Sequence, residues 1–128
     1  MTTYKDIAVE TRGHIAIIEI RKPPLNFFDI LLIQQIANAL DEIDANPEIR
    51  ATVLCAQGKA FCAGADFSDP NRKETEAAAK SGDPADNLGS IGHLYMEAVR
   101  IFRAKKPIVA AVQGAAIGGG LGLSLIHI

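Results

Sequence analysis

The 128-residue sequence contains no apolar run approaching the roughly 18–20 residues of a membrane-spanning helix, and its first residues, M-T-T-Y-K-D-I, lack the apolar stretch of a secretory signal. Both absences set the expectation of a cytoplasmic protein with no membrane partner. An excess of one charge is lacking too. Thirteen Lys and Arg against 15 Asp and Glu leave a net charge of −2, so the basic footprint of a nucleic-acid-binding protein is missing. Cysteine is scarce: Cys55 and Cys62 lack metal-ligand spacing, and the expectation is two reduced, semi-buried thiols. No internal repeat is visible.

What is present is apolar material arranged with secondary-structure periods. Hydrophobic residues make up 48% of the chain, enough for one small folded domain. Ile7–Glu10 and His14–Ile20 read as strands of an N-terminal hairpin joined through Thr11-Arg12-Gly13. Arg21-Lys22-Pro23-Pro24 ends the second strand. Asp29 is placed to cap a helix whose apolar residues Ile30, Leu31, Ile33, Ile36, Ala37 and Leu40 recur at helical spacing, and Asn46-Pro47 stops it. Thr52–Ala56 reads as a short buried strand and Ala60–Asp66 as a loop of small residues. Ser68 to about Gly89 reads as a mobile polar loop, and Ile91–Ala104 as a helix stopped at Lys105-Lys106-Pro107. The order ββ-α-β-loop-α-β-α predicts an α/β fold.

The chemistry gathers at two glycine-rich places, Gly64-Ala65-Asp66 and Gly118-Gly119-Gly120. Each is expected after a buried strand, at the edge where α/β folds bind ligands. For the second, the expected strand begins at Ile108 and a helix begins near Leu121. Bare N–H groups at such a turn stabilise negative charge. Gly114, Gly118 and Gly120 also fit a dinucleotide-binding spacing, but the acidic residue that pattern needs would lie beyond residue 128. Two ordinary turns are the plainest alternative.

The pair A-F-C-A-G-A-D (Ala60–Asp66) and P-I-V-A-A-V-Q-G-A-A-I-G-G-G-L-G (Pro107–Gly122) resembles the enoyl-CoA hydratase/isomerase (crotonase) family. The strand pair, the R-K-P-P-L-N segment and the helix to Asn46 are similar to that family as well. The resemblance implies a crotonase-like spiral of ββα units, cut short at its C-terminal side. It implies an acyl-CoA thioester as substrate, and no separate cofactor, since CoA is part of that substrate. Residues 1–122 would be the N-terminal portion of one domain, inactive by itself, whose parent assembles as a homotrimer or hexamer. The backbone N–H groups of Ala65 and Gly119 would form an oxyanion hole for a thioester enolate, with Gly119 also at a helix N-terminus. Leu25, Asn26, Phe27, Ala63, Gly64, Asp66 and Gly118 would line the thioester and CoA. Arg21, Lys22 and Lys59 are candidates for the CoA phosphates.

The sequence also departs from the family pattern. Family hydratases carry a catalytic glutamate two positions after the third glycine, and here Gly122 stands there. A second glutamate would fall past residue 128. A hydratase, an isomerase and a non-catalytic acyl-CoA-binding homologue all stay open. His93 and Tyr95 are possible pocket residues, and Glu97 and Asp66 are carboxylates without an evident partner. A serine peptidase of the related spiral fold would need Ser124 as nucleophile, and His127 lies too near it to be an obvious base. Residues 123–128, L-S-L-I-H-I, match one frame of a common sequencing adapter and are expected to be a non-native tail. Without the rest of such a domain, the apolar face around Ile108–Leu125 would be exposed and sticky.

Overall fold

Alternation at every second residue builds the first sheet. The computed structural model describes residues 3–66 and 89–125, with the side chains of residues 89–93 and 95 outside that description. Strand β1 (Ile7–Arg12) pairs antiparallel with β2 (Ile15–Ile20), from Ile7↔Ile20 to Arg12↔Ile15. On β2, Ala16, Ile18 and Ile20 are buried while the residues between them reach the surface, as a half-buried strand requires. Strand β3 (Ala51–Ala56) lies parallel to β2, and β5 (Ile108–Ala110) lies parallel to β3. The sheet order is β1-β2-β3-β5.

Helix α1 (Ile30–Ala45) packs on this sheet through Leu32, Ile33, Ile36, Ala37, Leu40 and Ile43, a stripe at the three-and-four spacing of an amphipathic helix. Asp29 is its N-cap, and Asp29 Oδ1 accepts from the Leu32 N–H at 2.8 Å. No basic residue lies in the last turn of α1. Lys106 supplies the charge from outside, donating to the carbonyls of Ile43 (2.6 Å) and Asn46 (2.5 Å), where a helix end favours a cation.

Helix α2 (Gly89–Phe102) lies against α1. Arg100 joins them, reaching Asp41 Oδ2 (2.6 Å) and Asn38 Oδ1 (2.8 Å) on α1 and Glu97 Oε2 (2.7 Å) on its own helix. The two carboxylates hold the guanidinium proton more tightly than usual, mainly through the hydrogen bond to Asp41.

Two short strands differ from the sequence-based expectation. Ala60–Cys62 is strand β4 rather than loop, and Ala115–Ala116 is a separate strand β6. They pair parallel with each other in a second, two-stranded sheet. The strand that leads into the glycine triplet is therefore β6, not the one begun at Ile108. Helix α3 (Gly119–Ser124) follows. The expected polar loop from Ser68 lies mostly outside the described residues, as do Ile126–Ile128. Leu123 is buried in the core, while Val109, Val112, Ile117, Leu121 and Leu125 leave an apolar face exposed, Val109 at 61%.

Candidate active site

Parallel pairing of β4 with β6 brings the two glycine-rich loops together. With Ala60↔Ala115 and Cys62↔Ala116 in register, both strands end on the same side. The Ile117 N–H donates to the Cys62 carbonyl at 3.0 Å. Gly64 (φ +111°) and Gly118 (φ +57°) turn the chain at equivalent points of the two loops, in a region that L side chains rarely enter. Gly120 is required by approach: a Cβ there would stand 2.2 Å from the Cys62 carbonyl oxygen.

A third segment closes the arrangement. The Phe28 N–H donates to the Gly64 carbonyl (2.9 Å), the Asp66 N–H to the Phe28 carbonyl (2.8 Å), and the Ala63 N–H to the Leu25 carbonyl (3.1 Å). The loop of residues 25–28 thus lies along the loop of residues 63–66. Its contacts use the N–H groups of Ala63 and Asp66. That of Ala65 donates to no acceptor among the described residues, and neither does that of Gly119. Gly119 is exposed and Ala65 half-buried, so both N–H groups are open to a ligand, and two adjacent loops each offering a free N–H can serve one anionic oxygen.

Beside Gly119 opens an apolar pocket of about 240 Å³, lined by Phe28, Ile33, Leu94, Ala98, Ile101, Phe102, Gly119, Gly122 and Leu123. No titratable side chain is among these. A Cβ at Gly122 would meet nothing within 4 Å, so the position where the family pattern has a glutamate faces open space.

The residues expected in the site have different fates. Ala63, Gly64, Ala65, Asp66, Gly118 and Gly119 are gathered on the paired loops. Leu25 is exposed beside them and Phe27 is half-buried. The side chain of Asn26, expected at the substrate, is turned into the protein and braces the loop from within. It is 1% exposed and adopts φ +55°. Its Nδ2 donates to the carbonyls of Gln57 and Ala60, each at 2.8 Å, and its Oδ1 accepts from the Lys22 N–H at 2.9 Å. Lys22, a candidate for the CoA phosphates, is already engaged: its ammonium lies 2.7 Å from Asp29 Oδ2 and 3.6 Å from Asp66 Oδ2. Arg21 pairs with Glu19 at 2.5 Å, and Lys59 is exposed.

Glu97 belongs to the Arg100 cluster rather than to the pocket. Ser124 Oγ donates to the Leu121 carbonyl, an ordinary turn of helix. The side chains of His93 and Tyr95, and all of His127, lie outside the described residues. Two residues were not foreseen. Phe28 lines the pocket and lies against Gly119, and Gln113 Nε2 donates to the carbonyls of Ala56 (3.0 Å), Gly58 (2.9 Å) and Ala60 (3.2 Å). The sole sequence signal for Gln113 is a polar residue interrupting an otherwise apolar run.

Cys62 is buried and Cys55 is half-buried. Burial raises both thiol pKa values, and Glu19 adds to the rise at Cys55. A raised pKa leaves less thiolate at neutral pH, and the thiolate is the reacting species. Ellman's reagent at pH 7.5 is therefore expected to leave Cys62 unmodified in the folded full-length protein. Labelling at the rate of the urea-unfolded chain would contradict this.

Comparison with known proteins accords with this geometry. The family profile described as Enoyl-CoA hydratase/isomerase matches residues 10–127. A Rhizobium meliloti protein named "Probable enoyl-CoA hydratase" is 34% identical over 125 residues, covering 97% of this chain and 44% of that protein. The mevalonyl-coenzyme A hydratase of Beauveria bassiana is 35% identical over 117 residues, covering 88% of this chain and 40% of that protein. The crystal structure of an enoyl-CoA hydratase subunit from Geobacillus kaustophilus superposes with a TM-score of 0.78 at 32% identity, over 98% of this chain and 45% of the other. The chain thus spans less than half the length of these relatives. Two glycine loops set side by side by parallel strands, in a crotonase fold, together with that profile match, establish that this chain belongs to the enoyl-CoA hydratase/isomerase family.

Proposed function

We propose that the full-length protein is an acyl-CoA-processing enzyme of the enoyl-CoA hydratase/isomerase type, which stabilises a thioester enolate with the N–H groups of Ala65 and Gly119. The observation that carries this reading is the pair of N–H groups on adjacent loops that have no acceptor among the described residues. Proton loss from the carbon next to a thioester carbonyl moves charge onto that oxygen. Donors already aimed at it need no reorganisation as the charge forms, and one such donor is typically worth roughly 3–4 kcal/mol in the barrier. The apolar pocket beside Gly119 suits an acyl chain, whose binding would displace water from around both hydrogen bonds and so strengthen them. The thioester and CoA would run along Leu25, Phe27, Ala63, Gly64, Asp66 and Gly118. CoA arrives with the substrate, so the reading calls for no further cofactor. The apolar face from Val109 to Leu125 supports a parent in which the rest of the domain and neighbouring subunits cover it, as a trimer or hexamer.

Gly122 favours a second reading, a homologue that binds acyl-CoA without turnover, because among the described residues the pocket lining contains no acid or base. Incubation of the full-length protein with an enoyl-CoA in deuterated water separates the two. Deuterium at the α or γ carbon is expected for the enzyme. Tight thioester binding with no exchange across a panel of chain lengths would establish the binder instead.

A further inference from the structure

Lys22 occupies a place that neither substrate binding nor the core accounts for. Its backbone is held at both ends by Asn26: the Lys22 N–H donates to Asn26 Oδ1 (2.9 Å), and the Asn26 N–H donates to the Lys22 carbonyl (2.9 Å). Its ammonium then spans two carboxylates. Asp29 Oδ2 is 2.7 Å away and Asp66 Oδ2 is 3.6 Å away, and the three side chains are 20%, 14% and 24% exposed, respectively. Asp29 uses its other oxygen to cap α1. Asp66 directly follows Ala65, and its own N–H is fixed on the Phe28 carbonyl.

We infer that Lys22 is a positioning residue for the Ala65 N–H, acting through Asp66; the inference rests on the oxyanion reading above. Two carboxylates brought together in a partly desolvated place repel each other, and the ammonium between them turns repulsion into a clamp. One jaw is the start of a 16-residue helix anchored in the core. The other is the end of the loop that carries Ala65. The clamp therefore sets where the Ala65 N–H points relative to Phe28 and Gly119. Placement is what a donor to a developing oxyanion depends on, and displacements of about 1 Å can cost on the order of 100-fold in rate. The substrate itself need not touch Lys22.

The test is steady-state kinetics of the full-length protein with Lys22→Met, Lys22→Arg, Asp66→Asn and the double variant Lys22→Met/Asp66→Asn. Asp66→Asn is the cleaner cut, because it leaves the Lys22–Asp29 pair and the helix cap in place. Lys22→Met and Asp66→Asn are each expected to lower kcat by about 10- to 100-fold; for Lys22→Met, KM for the CoA thioester should stay within about twofold, as for loss of an interaction felt only in the transition state. Lys22→Arg should recover most of the rate, since its forked guanidinium can span both carboxylates. The double variant should be no slower than the slower single one, because both cut the same link. A rise in KM with kcat unchanged would make Lys22 a CoA phosphate ligand and overturn the inference. Multiplying effects in the double variant, or unchanged kcat in both singles, would overturn it as well. Wild-type protein without deuterium exchange would overturn the functional reading and this inference with it, whereas active wild type with indifferent variants removes only the clamp.

Discussion

Gly119→Pro in the full-length protein is expected to lower kcat by about 100- to 1,000-fold relative to Gly119→Ala, the scale on which removing one oxyanion donor acts. The comparison between the two variants matters more than either alone. A Cβ at position 119 would stand 2.4 Å from Cε1 and Cζ of the Phe28 ring, so both substitutions push the same ring. Alanine keeps the N–H and proline removes it. Gly119 is the first residue of α3 and does not have a positive φ, which is where proline fits a helix with least disturbance. The N–H it would lack is bonded to no acceptor among the described residues, so the fold loses no hydrogen bond of its own there. Melting temperatures of the two variants should agree within a few degrees while their turnover diverges. Equal turnover would refute Gly119 as a donor.

The same position shows what could be read from the sequence and what could not. Gly119 was legible because a glycine triplet after an apolar run has few uses, and a second small-residue loop stood about 50 residues before it. The reason it must be glycine was not legible: the ring facing it comes from Phe28, which the sequence places in a loop 91 residues earlier. Helix α1 was readable from end to end, since Asp29, the three-and-four apolar spacing and Asn46-Pro47 are all local signals. Strands β4 and β6 were not. Three residues buried on both faces show no alternation, and a two-residue strand exists only because a partner more than 50 residues away supplies its hydrogen bonds. The candidate site sits on those two strands, so the elements that carry it were the ones with the weakest local signatures.

Asn26 extends that argument from geometry to stability. Asn26→Ala is expected to destabilise the full-length protein by about 2–5 kcal/mol, from two lost hydrogen bonds to part-buried groups at roughly 0.5–1.5 kcal/mol each and left-handed backbone strain of roughly 1–2 kcal/mol. The carbonyl of Ala60 would keep Gln113 as a donor. The Gln57 carbonyl and the Lys22 N–H would lose the Asn26 side chain that now serves them. Alanine would also have to hold φ +55°, a value asparagine tolerates better. Asn26→Gly separates the two costs, because glycine loses the same hydrogen bonds without the strain and should come out about 1 kcal/mol more stable than alanine. Urea titration of the three proteins measures both differences. A loss below about 1 kcal/mol for alanine would mean that the loop of residues 22–28 is not held by Asn26. With total stabilities of about 5–15 kcal/mol usual for domains, the expected loss is a large fraction of what keeps the chain folded. Any folded remainder should also turn over slowly, because the segment that Asn26 pins carries Phe28, and Phe28 is what the loops of Ala65 and Gly119 both lean on.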